Sequence, residues 1–308
     1  MGRCAAFDIE TYCPVEEIEK GDLNYLQNRK EYKSEEEFKK DLSTNPYVAY
    51  VISFALFFPE ENKGEVYYLS HEERIDKEIW EIEGRKVNIS YNSLSITDGL
   101  RKGEEELIKI LWDQLSQVDK LITFYGKTFD IPFVKIRTMM HNLKPKNFFV
   151  DINHIDLKDL LGIQKKNYTL DFISRRMGIS LNKEYVDGSK VDGLFRSKKY
   201  KEIAQYNLRD VLITGLLYER VKDYIYEEHI YKYVQSLKDL KYIEQAIDND
   251  IISSKEMSIL IDFCKDKQSP TDKQKQYLKD LIQNVSPEDI YSKLRPETIK
   301  KMFMHFEE

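Results

Sequence analysis

Asp8 and Glu10 flank Ile9 in the run Ala5-Ala-Phe-Asp-Ile-Glu10. As a strand, with a period of two, that run points both carboxylates to one face and Ile9 to the other. Two acids inside an apolar strand are costly to bury unless something cationic binds them. Their mutual repulsion raises one pKa or demands a metal. Tyr206 and Asp210 lie four apart in a segment with helical spacing, so they share a face with Cβ atoms roughly 5–6 Å apart. Asp130 follows Phe129 and the turn Gly126-Lys127-Thr128, a position that suits a functional carboxylate and an ordinary helix N-cap equally. Singly, each feature has a plain explanation: a chance Asp-x-Glu among 54 acids, or a half-buried tyrosine above a solvated aspartate. Together, Asp8, Glu10, Asp130 and Asp210 make a hard-oxygen set suited to Mg²⁺ or Mn²⁺ and not to zinc. Two such ions about 3.5–4 Å apart can hold a phosphodiester between its attacking and leaving oxygens. A phenol with an ordinary pKa of about 10 is a poor base, so Tyr206 suits the task of orienting the attacking water by a hydrogen bond.

The elements that must carry these groups follow from periodicity and turn chemistry. Residues 3–10 read as a short first strand, and 14–45 as a charged helical insertion containing Ser34-Glu-Glu-Glu-Phe. The β-rich run Tyr47–Phe58 predicts a central strand, with a turn at Asn62-Lys-Gly64 and a hairpin partner over Glu65–Leu69. Residues 70–100 read as irregular. Leu107, Ile110, Leu111, Leu115 and Val118 have helical spacing over Glu104–Val118. Lys120–Phe124 predicts a strand, and Pro132 fits the first turn of a helix running to His141. Phe148–Ile155 reads as another strand, Asp156–Leu161 as a short helix, and Thr169 caps a helix that stops at Gly178. Residues 182–197 read as a loop, and Ser197 to about Tyr224 as a long helix. The order predicts a mixed α/β domain over 1–226. Residues 227–308 show no strand signal and three capped helix starts, at Ser269-Pro, Ser286-Pro and Arg295-Pro, which predicts a small all-α C-terminal region.

The 308 residues, 41% hydrophobic and 12% aromatic, suffice for one sizeable core plus a smaller unit. No run approaches the roughly 20 apolar residues of a membrane span. The start, Met1–Phe7, lacks a secretory leader, and Cys4, Cys13 and Cys264 fit a reducing cytoplasm and build no zinc motif. The net charge of −6 argues only weakly against a nucleic-acid partner, because bound cations reverse the local sign of a carboxylate site.

Three segments resemble the motifs of the DEDD exonuclease superfamily in its tyrosine subgroup: Phe7-Asp-Ile-Glu-Thr11, Phe124-Tyr-Gly-Lys-Thr-Phe-Asp-Ile-Pro132 and Tyr206-Asn-Leu-Arg-Asp210. Their wording is closest to the proofreading domain of family B DNA polymerases and its stand-alone relatives. The resemblance implies a ribonuclease H-like fold with a five-stranded mixed sheet flanked by helices. It also implies two divalent ions, Mg²⁺ or Mn²⁺, held by Asp8, Glu10 and Asp210, with Asp130 binding one through water and Tyr206 positioning the nucleophile. The implied activity is 3′→5′ exonucleolytic hydrolysis at single-stranded 3′ ends, DNA before RNA. One position departs: the second motif usually carries an asparagine that contacts the substrate end, and Tyr125 stands there.

Candidate nucleic-acid contacts are Thr11, Tyr125, Lys127, Phe129, Lys165, Lys166, Arg175 and Arg176. The basic run Arg196–Lys201 adds to them, since phosphate neutralisation supplies most affinity. Phe124, Tyr125, Phe129 and Phe133 offer rings for stacking a terminal base, or simply core. The C-terminal helices suit a protein-docking module or a stability cap as well as a nucleic-acid grip. An RNA-trimming enzyme of the same chemistry, and a non-catalytic nucleic-acid-binding module, are the alternatives.

Overall fold

The computed structural model describes residues 3–144, 154–161, 168–179, 181 and 190–236. The chain divides into two units, Met1–Val221 and Lys222–Glu308. The account below concerns the first. The expected helical region 227–308 lies, from 237 onward, outside the described residues, as does Cys264.

One mixed sheet organises the unit, with strand order β4-β5-β3-β2-β1-β6-β7. Its strands are β1 (Cys4–Tyr12), β2 (Tyr50–Phe58), β3 (Lys63–Ser70), β4 (Arg74–Ile82), β5 (Arg85–Ser95), β6 (Lys120–Thr123) and β7 (His154–Asp156). β1, β2 and β3 pair antiparallel, whereas β6 runs parallel to β1 and β7 parallel to β6. The sheet thus has seven strands where five were expected. The difference lies in residues 70–100, read as irregular, which form the β4–β5 hairpin. Glu83 and Gly84 both take positive φ at its tip, the requirement of a tight two-residue hairpin turn. β5 joins the sheet parallel to β3, and its inward residues Val87, Ile89 and Tyr91 alternate with polar ones.

Helices cover both faces of β2, which is why Val51–Phe58 is buried throughout. α3 (Leu100–Leu115) buries Leu107, Ile108, Leu111, Trp112 and Leu115. It seats Gly103 against Leu69. α8 (Tyr200–Ser236) takes the opposite face. There, a Cβ on Gly215 would come within 2.4 Å of the Phe57 ring, so the helix backbone lies directly on the sheet. α4 (Asp130–Met140) packs on α3, with the Trp112 indole donating to Thr138 at 2.9 Å. The remaining helices are α1 (Lys20–Gln27), α2 (Glu35–Ser43), α5 (Leu157–Leu161), α6 (Leu170–Arg176) and α7 (Val191–Arg196). α1 and α2 make up the charged 14–45 segment, and Ser34 caps α2 by accepting from the Glu37 amide. Thr169 likewise caps α6, and Gly178 follows it with φ +72°. α7 occupies part of the segment read as a loop, its Val191 and Phe195 buried on the sheet side.

A register shift between Glu10 and Thr11 leaves Ile52 as an extra residue in β2, a bulge beside the candidate carboxylates. The Val51 amide there donates to the buried Glu104 carboxylate at 2.7 Å. Glu104 also receives Arg137 through two nitrogens at 2.9 and 2.6 Å and His141 at 2.6 Å. This ion cluster joins β2, α3 and α4 behind the site.

Candidate metal centre and active site

Alternation along β1 places Asp8 and Glu10 on the face that also carries Ser53 and Phe57 of β2, the face covered by α8. Asp210, on α8, completes the group. One carboxylate oxygen from each of Asp8, Glu10 and Asp210 lies within 4.8 Å of the others. All three residues are half-buried. Burial and the neighbouring Asp130, Glu10 and Asp210 hold the Asp8 carboxyl well above its ordinary range, against a hydrogen bond from Asn207. Burial, Asp210 and Asp130 raise Glu10 in the same way. Burial lifts Asp210 to about 6, while Tyr206 and Arg209 pull the other way. Three crowded carboxyls whose charged forms are this costly form a donor set complementary to a divalent cation. Their hard oxygens fit Mg²⁺ or Mn²⁺.

Asp130 is buried and opens α4, one residue inside the helix, with Phe129 in the cap position. The N-cap alternative therefore fails. Its Oδ1 instead accepts the Ile9 amide of β1 at 3.0 Å, a bond across 121 residues that ties it to the strand carrying Asp8 and Glu10. Burial raises it to about 7, opposed by that amide. The Tyr206 phenol is pushed far up, first by burial and then by Asp210, Glu10 and Asp8, so it stays protonated.

Two residues that sequence reasoning passed over tie the site together. Asn207, fully buried, donates Nδ2 to Asp8 Oδ2 at 2.8 Å and accepts the Ser53 hydroxyl at 2.9 Å. It lies inside the quoted segment Tyr206–Asp210, but only its packing on β2 gives it a task. Asp156, at the end of β7, receives three backbone amides from the second motif and α5.

The expected nucleic-acid contacts separate. Tyr125 and Lys127 are exposed in the turn after β6, and Phe129 is half-buried against Phe133. The Thr11 hydroxyl is committed elsewhere, donating to the Ser43 carbonyl at 2.6 Å and anchoring α2. Arg175 and Arg176 sit exposed on α6, Arg175 paired with Asp171 at 3.0 Å. Lys165 and Lys166 lie outside the described residues. The run Arg196–Lys201 meets acids at close range: Arg196 binds Glu16 and Asp192, Lys199 binds Glu202, and Lys201 binds Asp76 and Glu78.

This fold and this site define an α/β protein with a carboxylate cluster that could hold a metal ion. Residues 80–255 match a family described as predicted 3′-5′ exonucleases related to the exonuclease domain of PolB. The chain belongs to that family. The match includes Asp130, Tyr206 and Asp210; Asp8 and Glu10 precede it and join them through the sheet. An uncharacterized protein of Methanocaldococcus jannaschii is 27% identical over 135 residues, 40% of this chain and 76% of the relative. Among solved structures, the family B DNA polymerase of Pyrobaculum calidifontis is similar at a TM-score of 0.42 and 15% identity. The alignment covers 85% of this chain and 28% of the polymerase. Among the described residues, no helix is long and apolar enough to cross a membrane.

Proposed function

We propose that this chain is a metal-dependent 3′→5′ exonuclease that shortens single strands, DNA in preference to RNA, on a ribonuclease H-like core. The single observation that carries the reading is the meeting of Asp8, Glu10 and Asp210 within 4.8 Å, with Tyr206 one turn before Asp210 on the same helix. The run β3-β2-β1-β6-β7, three antiparallel strands followed by two parallel ones, supports the ribonuclease H-like assignment. The DNA preference and the direction rest on the resemblance of the three motifs.

In this reading Asp8, Glu10 and Asp210 would hold the cations, two in number by the resemblance, which also gives Asp130 a supporting role beside them. Bound divalent ions supply charge neutralisation of the phosphodiester and of the leaving 3′-oxygen. Asn207 fixes the Asp8 carboxylate by occupying one oxygen, so the other is presented to the cation. Tyr206, a weak acid whose pKa burial pushes further up, is a poor base and instead orients the attacking water with its hydroxyl. The exposed turn at Tyr125 and Lys127 receives the strand end.

A 5′-labelled strand incubated with Mg²⁺, offered as DNA, as RNA and as a blunt duplex, tests direction and substrate together. The reading expects a ladder receding from the 3′ end, strongest on single-stranded DNA. Products released from the 5′ end, or internal cuts alone, contradict it.

A further inference from the structure

Strands β1, β6 and β7 run parallel, with Ala6 opposite Ile122 and Thr123 opposite Asp156. Asp8, midway along β1, therefore lies level with the turn beginning at Phe124, just beyond the C-terminal ends of β6 and β7, the end where parallel sheets bind ligands. That turn is held in an unusual shape. Tyr125 has φ +75°, a left-handed conformation that a bulky aromatic residue rarely adopts and that persists only where its surroundings enforce it. Gly126 follows because any Cβ there would fall within 2.6 Å of the Thr123 side chain. The enforcing group is Asp156, 2% exposed. Its Oδ1 accepts the Tyr125 amide at 2.8 Å and the Lys158 amide at 3.0 Å, and its Oδ2 accepts the Lys127 amide at 2.9 Å. The result is a 41% exposed Tyr125 ring with the Lys158 ammonium 3.6 Å from its centroid.

Resting on the exonuclease reading, we infer that Asp156 is a positioning residue for substrate. It locks the Tyr125–Lys127 turn so that the Tyr125 ring, with Lys158 against it, forms a ledge for the end of a single strand. An aromatic ring stacks any base through its π-face, and an adjacent ammonium adds attraction for phosphate. Three amides on one carboxylate make a rigid mount, and a rigid mount lowers the ordering cost of binding. The turn needs such a mount because a tyrosine adopts positive φ far less readily than an asparagine or a glycine.

The test is a double-mutant cycle on the full chain with a single-stranded oligonucleotide and Mg²⁺. Asp156→Asn removes one acceptor oxygen and is expected to raise KM about tenfold with kcat changed less than about threefold. In a Tyr125→Ala background the same change is expected to move KM less than about twofold, because the ledge is already gone. Lys158→Ala, at a half-exposed position, gives a second arm in case Asp156→Asn unfolds. It should raise KM about threefold, and only while Tyr125 is present. Equal KM effects in both backgrounds, or a kcat loss at unchanged KM, overturn the inference and leave the exonuclease reading standing. A wild-type chain without nuclease activity removes both.

Discussion

Burial sets the character of the site carboxyls, pushing Asp130 up to about 7 and Asp210 up to about 6. Both lie above their ordinary range, so the folded protein holds these protons more tightly than the unfolded chain. That contribution to stability is complete below about pH 4 and is lost as pH rises through 6 and 7. A cation binds only the deprotonated set and stabilises the fold that holds it. The Mg²⁺-induced rise in Tm should therefore be larger at pH 7.5 than at pH 5.5, by thermal melting at fixed Mg²⁺; a rise independent of pH contradicts the assignment. Tyr206→Phe should leave this Tm response intact and lower kcat by about 10²-fold, the scale of losing one positioned hydrogen bond at the reacting centre. Full activity in that variant removes the water-orienting role. Asp8 and Glu10 were legible in the sequence because strand alternation alone sets them on one face. Asn207 was not, since the Ser53 that orients it is 154 residues away and no local pattern encodes that meeting. Asp130 was ambiguous for a related reason: its partner, the Ile9 amide, belongs to another strand.

Element by element, the sequence announces what is locally consistent. β2 is a continuous apolar run, α3 repeats its apolar residues at helical spacing, and α6 has its cap and its glycine stop. The β4–β5 hairpin escaped because β4 sits at the sheet edge with Ile75 and Ile79 exposed while its inward face carries Asp76 and Glu78, so its hydrophobic pattern does not mark the inward face. The two-residue period in Val87, Ile89 and Tyr91 was present but short, and a polar hairpin partner masked it. α7 was hidden by its length of six residues. How the elements lock together is a tertiary matter, and it carries two predictions. Gly215→Leu should cost about 1–3 kcal/mol by forcing α8 off Phe57. Glu104→Ala should cost about 3–5 kcal/mol, because it strands Arg137 and the Val51 amide in a buried setting. Urea unfolding at constant m-value measures both. A change under about 0.5 kcal/mol, the size of an ordinary surface substitution, contradicts the packing described.

For the molecule as a whole, Arg196, Lys199 and Lys201 are among the described residues already paired with acids, which leaves Lys127 and Lys158 of the proposed ledge as its phosphate contacts. Binding of a single strand then depends weakly on salt: KM should rise no more than about tenfold between 50 and 200 mM, as expected for about two phosphate contacts. A steeper rise requires a basic surface beyond the described residues. Cleavage by the carboxylate centre is the proposal most worth testing. The direct measurement compares wild type with Asp8→Ala on a 5′-labelled single strand in Mg²⁺, with Tm recorded for both. Stepwise shortening by the wild type, abolished by EDTA and by Asp8→Ala with the fold intact, is the expected result. Shortening by Asp8→Ala at the wild-type rate would contradict the account.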